Sequence, residues 1–188
     1  MRSKKFMLFL LIVFNASIAN AQNKKVIFHS INSFGFIIGE KSDDLQIQSV
    51  NGVAYKNFFS GIGFGKDDYS YDSYPLFLDQ RIYFGKRNNG FAYGNVGYNL
   101  TAKNKPGKEV YYYNSYHFSN GVYTDFGFGH KMKLTKKTFF ILSAGFSYKD
   151  INYKIGVINP CLTALCTVDY SNYKYGNGRV VLKAGVDF

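Results

Sequence analysis

Side-chain character along this chain alternates at every second position, in segment after segment, and no stretch shows a helical period. Period two is the signature of a strand with two unlike faces. In 75–86, Leu76, Leu78, Ile82 and Phe84 share one face and Asp79, Arg81 and Tyr83 the other. In 118–132, Val122, Thr124, Phe126 and Phe128 oppose Tyr123, Asp125, Gly127 and Gly129. In 137–149, Phe140, Leu142, Ala144, Phe146 and Tyr148 oppose Ser143, Gly145 and Ser147, with Phe139 and Ile141 blurring the start. In 177–188, Val180, Leu182, Ala184, Val186 and Phe188 oppose Arg179, Lys183, Gly185 and Asp187, and Val181 stands out of phase. Four further segments, 31–40, 44–55, 58–67 and 90–102, bring the candidate strands to eight, with Val50 breaking phase in the second.

The beginning of the chain differs. Met1-Arg2-Ser3-Lys4-Lys5 is basic, Phe6 to Phe14 is apolar, and Ala19 and Ala21 lie at the end of the following segment. That order predicts a cleavable signal peptide over 1–21 and a mature domain over 22–188. The apolar run is shorter than the ~20 residues a spanning helix needs. No later segment is long and apolar enough to span as a helix. A mature chain that enters a membrane must then do so as a closed barrel, because lipid offers unpaired backbone groups no partner.

Alternation alone does not say which face is outside. A soluble sandwich or barrel turns the apolar face inward, and a membrane barrel turns it outward. Glycine recurs on the polar face, at Gly61, Gly63, Gly65, Gly127, Gly129, Gly145 and Gly185. A narrow eight-stranded interior needs such small residues beside long ones like Arg81, whereas on a wet outer face they would only weaken strands. Connections also alternate in length. Turns near Tyr55–Asn57, Arg87–Asn89 and Lys133–Lys136 are short, and those over Glu40–Asp44, Lys66–Tyr74, Lys103–His117 and Asp150–Asn177 are longer on average. Short turns at one end and long loops at the other is the outer-membrane pattern. The expected fold is therefore an all-β, eight-stranded, antiparallel up-and-down transmembrane β-barrel.

The last strand adds a resemblance. Leu182, Ala184, Val186 and Phe188 resemble the C-terminal strand signature of outer-membrane proteins, which implies recognition by the barrel-insertion machinery. Gly61-Ile62-Gly63-Phe64-Gly65 and Tyr74-Pro75-Leu76-Phe77-Leu78-Asp79-Gln80-Arg81 resemble small outer-membrane barrels of the Bacteroidetes type. The resemblance implies fold and location and brings no catalytic residue.

Within such a barrel the polar face supplies Asp79, Arg81, Asp125, Arg179, Lys183 and Asp187. Buried charges of both signs are expected to pair into a polar plug rather than an open ion path. Cys161 and Cys166, in a disulfide-permissive compartment, are expected to staple the longest loop, for about 2 kcal/mol in the chain-entropy model. Tyr69, Tyr71 and Tyr74, with Tyr111, Tyr112, Tyr113 and Tyr116, fall near one rim, where rings anchor barrels or meet partners. Tyr170, Tyr173 and Tyr175 make the longest loop the best candidate for contact with a surface ligand or protein, with an ordinary variable loop as the other reading.

The formal charge is +11, and the leader carries off Arg2, Lys4 and Lys5 and no acid, leaving +8. Export makes outer-membrane lipids rather than nucleic acid the expected partner, and the cations cluster in turns at Lys86-Arg87, Lys133 and Lys136-Lys137, where a solvated turn is the first reading and attraction to anionic headgroups the second. No metal or cofactor is expected, because no zinc spacing, Walker, GxSxG or HExxH motif occurs. His117 and Ser119, with Glu109 and Asp125 in sequence reach, are the only hints of a lipid-modifying enzyme; His130 falls on the apolar face and His29 ahead of the first strand. The expectation is a non-catalytic barrel with a structural or surface-interaction role. A soluble exported barrel binding an apolar ligand and a lipid-modifying barrel enzyme are the alternatives.

Overall fold

The computed structural model describes residues 26–39, 43–68, 73–101, 114–158 and 168–188. The signal segment, Glu109, Cys161, Cys166, Tyr69, Tyr71 and Tyr111 to Tyr113 lie outside the described residues.

Every described element is a strand: β1 (Ile27–Ile38), β2 (Asp44–Tyr55), β3 (Phe58–Asp67), β4 (Ser73–Phe84), β5 (Gly90–Thr101), β6 (Asn114–Ser119), β7 (Gly121–Lys133), β8 (Phe139–Ile158) and β9 (Val168–Asp187). Each of the eight long strands pairs antiparallel with its chain neighbours, and β1 pairs with β9, so the sheet closes into a ring. Closure removes both sheet edges, which is what lets a sheet sit in hydrocarbon. β6 takes no place in the ring. It adds to the far part of β8, with Asn114 opposite Val157 and Ser119 opposite Asn152.

At one end the chain reverses through residues 56–57, 85–89 and 134–138. Lys56 (φ 56°), Gly85 (φ 89°) and Asn88 (φ 52°) take the left-handed backbone that such tight reversals demand. The opposite end carries the connections 39–43, 68–72, 102–113 and 159–167.

The two faces are inverted relative to a soluble protein. Leu78, Phe126 and Leu182 are 56, 57 and 46% exposed, while Arg81 and Asp125 are 7 and 0% exposed. The soluble arrangement, with the apolar stripe at the centre, is therefore not the one adopted. Apolar residues that broke the alternation have their own place. Val50 and Ile141 point inward and pack with Ile31, Phe59, Phe77 and Phe91, and Val181 packs with Ile37 and Ile151. The interior is thus a mixture of apolar rings and paired ions. Its glycines make room for the rings: a Cβ on Gly63 would run into the Phe77 ring, and one on Gly129 into the Phe91 ring.

Two expectations need correction. The segment Asp150–Asn177 is not simply a long loop. β8 and β9 stay paired out to Ile158 and Val168, and β6 makes a third strand beside them, so a ribbon stands beyond the barrel. Likewise His29 does not precede the first strand. It lies within β1, opposite Gly52.

Candidate functional site

The interior face gathers charges into layers. Nearest the short turns, Asp187 on β9 is fully buried and held from two sides. His29 Nδ1 of β1 lies 2.6 Å from its Oδ1, and Lys131 Nζ of β7 lies 2.6 Å from its Oδ2. Lys131 also sits over the Phe139 ring at 4.2 Å and the Tyr83 ring at 5.1 Å. One layer on, Arg81 Nε donates to Asp79 Oδ1 (2.8 Å) and its Nη2 donates to Oδ2 (2.7 Å). Both belong to β4, at i and i+2, so the strand's own period delivers this fork. The guanidinium is sandwiched by Phe59 at 5.8 Å and Phe91 at 5.3 Å.

The next layer centres on Asp125 of β7. Its carboxylate accepts from the Tyr93 hydroxyl (3.0 Å), the Tyr123 hydroxyl (3.0 Å) and the Lys183 ammonium. Lys183 also donates to Gln48 Oε1 (3.2 Å), and Gln48 Nε2 donates back to Tyr123 (2.7 Å). Above it, Asp67 accepts from Lys149 and Ser73, and Lys149 donates to Ser73 Oγ at 3.0 Å. Arg179 pairs with Asp44 at the rim of that end.

The six residues taken from the sequence thus stand on the interior wall, but they do not form a single cluster. Asp79 joins Arg81, and Asp125 joins Lys183, while Arg179 and Asp187 find partners outside the set. Sequence reasoning missed Asp44, Asp67, Lys149, Lys131 and His29. Phase alone could have added at least three of them, for Lys131 continues Asp125, Gly127 and Gly129. Asp67 continues Gly61, Gly63 and Gly65, and Lys149 continues Ser143, Gly145 and Ser147. Between the layers little space remains: a cavity lined by Gln48, Arg81, Phe91, Tyr93 and Lys183 measures about 10 Å³, room for one water.

Of the residues considered for catalysis, Ser119 and Asp125 stand apart, and Glu109 and the His117 side chain lie outside the described residues. Ser119 Oγ donates to the Asn152 carbonyl (3.2 Å), and Asp125 lies deep in the barrel among its own partners. His130 faces outward on β7, and His117 belongs to β6. Among the described residues no group of three or more His, Cys, Asp or Glu could hold a metal ion.

The ribbon offers a different surface. On the phase that continues the barrel interior, Tyr153 of β8 lies between Tyr173 and Tyr175 of β9. The rings are near parallel, at 5.3 and 5.8 Å, and Tyr173 and Tyr175 are 40 and 53% exposed. A second face presents Ser119, Asn152, Lys154, Asn172 and Lys174 around a groove of about 160 Å³. Below it, Asn120 at the break between β6 and β7 accepts from the Thr101 backbone N–H (3.1 Å), closing the end of β5. Tyr74, by contrast, stacks on Phe64 at 6.3 Å on the barrel wall.

With this geometry in hand, the fold has clear counterparts. The outer membrane protein AlkL aligns over 88% of this chain and 89% of its own, at 13% identity and a TM-score of 0.50. This chain is a transmembrane β-barrel by fold. OprG from Pseudomonas aeruginosa aligns over 85% of this chain and 94% of its own, at 15% identity and a TM-score of 0.47. A de novo designed transmembrane β-barrel gives 8% identity and a TM-score of 0.46. No protein-family model and no curated protein matches the sequence. At these identities the likeness speaks for the fold alone.

Proposed function

We propose that this protein is an integral barrel of an outer membrane that acts at the cell surface through its projecting ribbon, without catalysis and without conducting ions. The observation that carries the reading is the ribbon itself. β8 and β9 continue in register well past the last ring partner of β7, and expose a stack of tyrosines there. Rigid, tyrosine-bearing surfaces suit recognition, since tyrosine supplies contact area and a hydrogen bond at small entropic cost. Pairing of the interior charges supports a plug rather than a pathway. The bonds made by Ser119 and Asp125 support the absence of a Ser/His/acid site.

Export by the leader over 1–21, insertion by the barrel-assembly machinery and contact with outer-membrane lipids belong to the same proposal. So does the finer kinship with barrels of the Bacteroidetes type, carried by Gly61–Gly65 and Tyr74–Arg81. A disulfide between Cys161 and Cys166, in the connection between β8 and β9, would tie the tip of the ribbon.

Fractionation of expressing cells tests the location. The protein should enter the outer-membrane fraction and migrate faster on a gel when unboiled, and recovery in the soluble periplasm would defeat the proposal. Protease added to intact cells tests the surface role. Cleavage should fall between 150 and 177, and protection of that segment with cleavage at the short turns would reverse the assigned orientation.

A further inference from the structure

The short-turn end of the barrel carries a feature that the surface role leaves unused. A concave mouth of about 210 Å³ opens there, lined by His29, Lys56, Arg87 and Lys131 together with Asn88 and Asn89, over a wall of Ile27, Ala54, Tyr83 and Phe139. Its basic groups come from separate places in the fold. His29 belongs to β1, Lys56 to the β2–β3 turn, Arg87 to the β4–β5 turn and Lys131 to β7. Closure of the ring, and nothing local in the sequence, sets them around one opening.

Charge at this end is one-sided. Lys56, Lys86, Arg87, Lys133, Lys136 and Lys137 are exposed on the three turns and their edges. Among the described residues, the acid side chain at this mouth is Asp187, and it is fully buried with both carboxylate oxygens engaged by His29 and Lys131. Phe188 follows it on the wall, where its backbone O accepts from Ser30 N–H at 3.2 Å. Asp79, one layer deeper, is held by Arg81. Among the described side chains at the mouth, the basic groups outnumber the acid.

We propose that this mouth is a binding site for a phosphate-bearing anion. Lys56 and Arg87 would approach it from neighbouring turns, Asn88 and Asn89 would add amide donors, and Lys131 would stay on Asp187 as the fixed floor of the site. Arginine forks onto phosphate oxygens and lysine supplies a point charge, and a half-enclosed setting screens both less than open solvent does. Apolar walls around a few convergent polar groups are the ordinary make-up of a small-ligand site. The phosphate could be carried by a lipid headgroup at the membrane edge or by a small solute on the same side. Neither source depends on the ribbon having a partner.

The test uses the full-length mature protein, refolded in zwitterionic micelles free of phosphate and titrated with inorganic pyrophosphate by calorimetry. Saturable one-site binding is expected. Lys56→Gln and Arg87→Gln should each weaken it by about ten-fold, the scale of one lost charge-assisted contact. Lys136→Gln with Lys137→Gln, on the turn that does not line the mouth, should leave it unchanged. Unboiled gel mobility shows that each variant is folded. Equal weakening by both pairs would mean diffuse surface charge and overturn the proposal. Repeating the titration in phosphatidylcholine nanodiscs with and without phosphatidylglycerol separates the sources. Competition by phosphatidylglycerol assigns the site to a headgroup, and undiminished binding assigns it to a solute. Absence of saturable pyrophosphate binding in micelles, with no effect of Arg87→Gln on phosphatidylglycerol association in nanodiscs, would end the idea.

Discussion

Lys183 on β9 reaches past β8 inside the barrel to the carboxylate of Asp125 on β7, tying together strands that do not pair with each other. Asp125 is fully buried and also accepts from Tyr93 and Tyr123. Removing one partner of a buried pair leaves the other charge uncompensated, at a cost of about 3–5 kcal/mol. Asp125→Asn should therefore lower the temperature at which the unboiled fast-migrating form is lost, and so should Lys183→Met. The double variant should recover part of that loss, because no charge is then stranded. A strictly additive double variant would show that the pair contributes no coupling.

Gly63 and Phe77 face each other on β3 and β4, and the ring fills the space a side chain at 63 would need. Gly63→Val should displace the ring and destabilise the barrel by about 1–3 kcal/mol, as overpacking does. Phe77→Ala alone should also destabilise, through the cavity it leaves. Combined, the two changes should cost less than their sum, since each removes the other's fault. Urea unfolding in detergent micelles measures all three, and an additive result would mean that the two side chains do not share that volume.

Where one face meets lipid and the other the packed interior, the sequence announced the strand. β4 shows this best, with Leu76, Leu78, Ile82 and Phe84 outside and Asp79, Arg81 and Tyr83 inside. Interior charges were legible by phase for the same reason. Their partners were not, because Lys183 finds Asp125 through register and reach across β8, and neither quantity is written in one strand. The outer ribbon was hidden for another reason. Beyond Lys149 the two phases of β8 exchange character: the phase of Ser143, Ser147 and Lys149 turns apolar with Ile151, Tyr153 and Ile155, and the lipid-side phase turns polar with Asn152 and Lys154, so the barrel pattern ends where the ribbon begins. His29 went unread because its strand begins at Ile27, earlier than alternation alone suggested.

Leu78 sits near the middle of β4 and faces outward. If hydrocarbon surrounds that position, Leu78→Arg should cost about 2–4 kcal/mol, the midplane penalty for a lipid-facing cation. The same change at Leu134, exposed on the β7–β8 turn, should cost about 0–1 kcal/mol, as near an interface. Folding titrations into phosphatidylcholine vesicles provide the comparison. Equal costs at the two positions would place the water boundary elsewhere than the strand ends.

Conductance provides the sharpest check on the interior. From the short turns outward the bore is crossed by the Asp187 group, the Arg81–Asp79 fork between Phe59 and Phe91, the Asp125 group and the Lys149–Asp67 pair. Each layer spans a bore that eight strands leave only wide enough for side chains. The native protein in a planar bilayer should show no steady ionic current. Arg81→Ala should remove the fork and enlarge the neighbouring cavity, yet leave the bilayer silent, because the Asp125 layer above it and the Asp187 layer below it remain intact. Steady open-channel current from the native barrel would mean that these layers part in the membrane. Current only from Arg81→Ala would mean that one layer, rather than the stack, keeps the barrel closed.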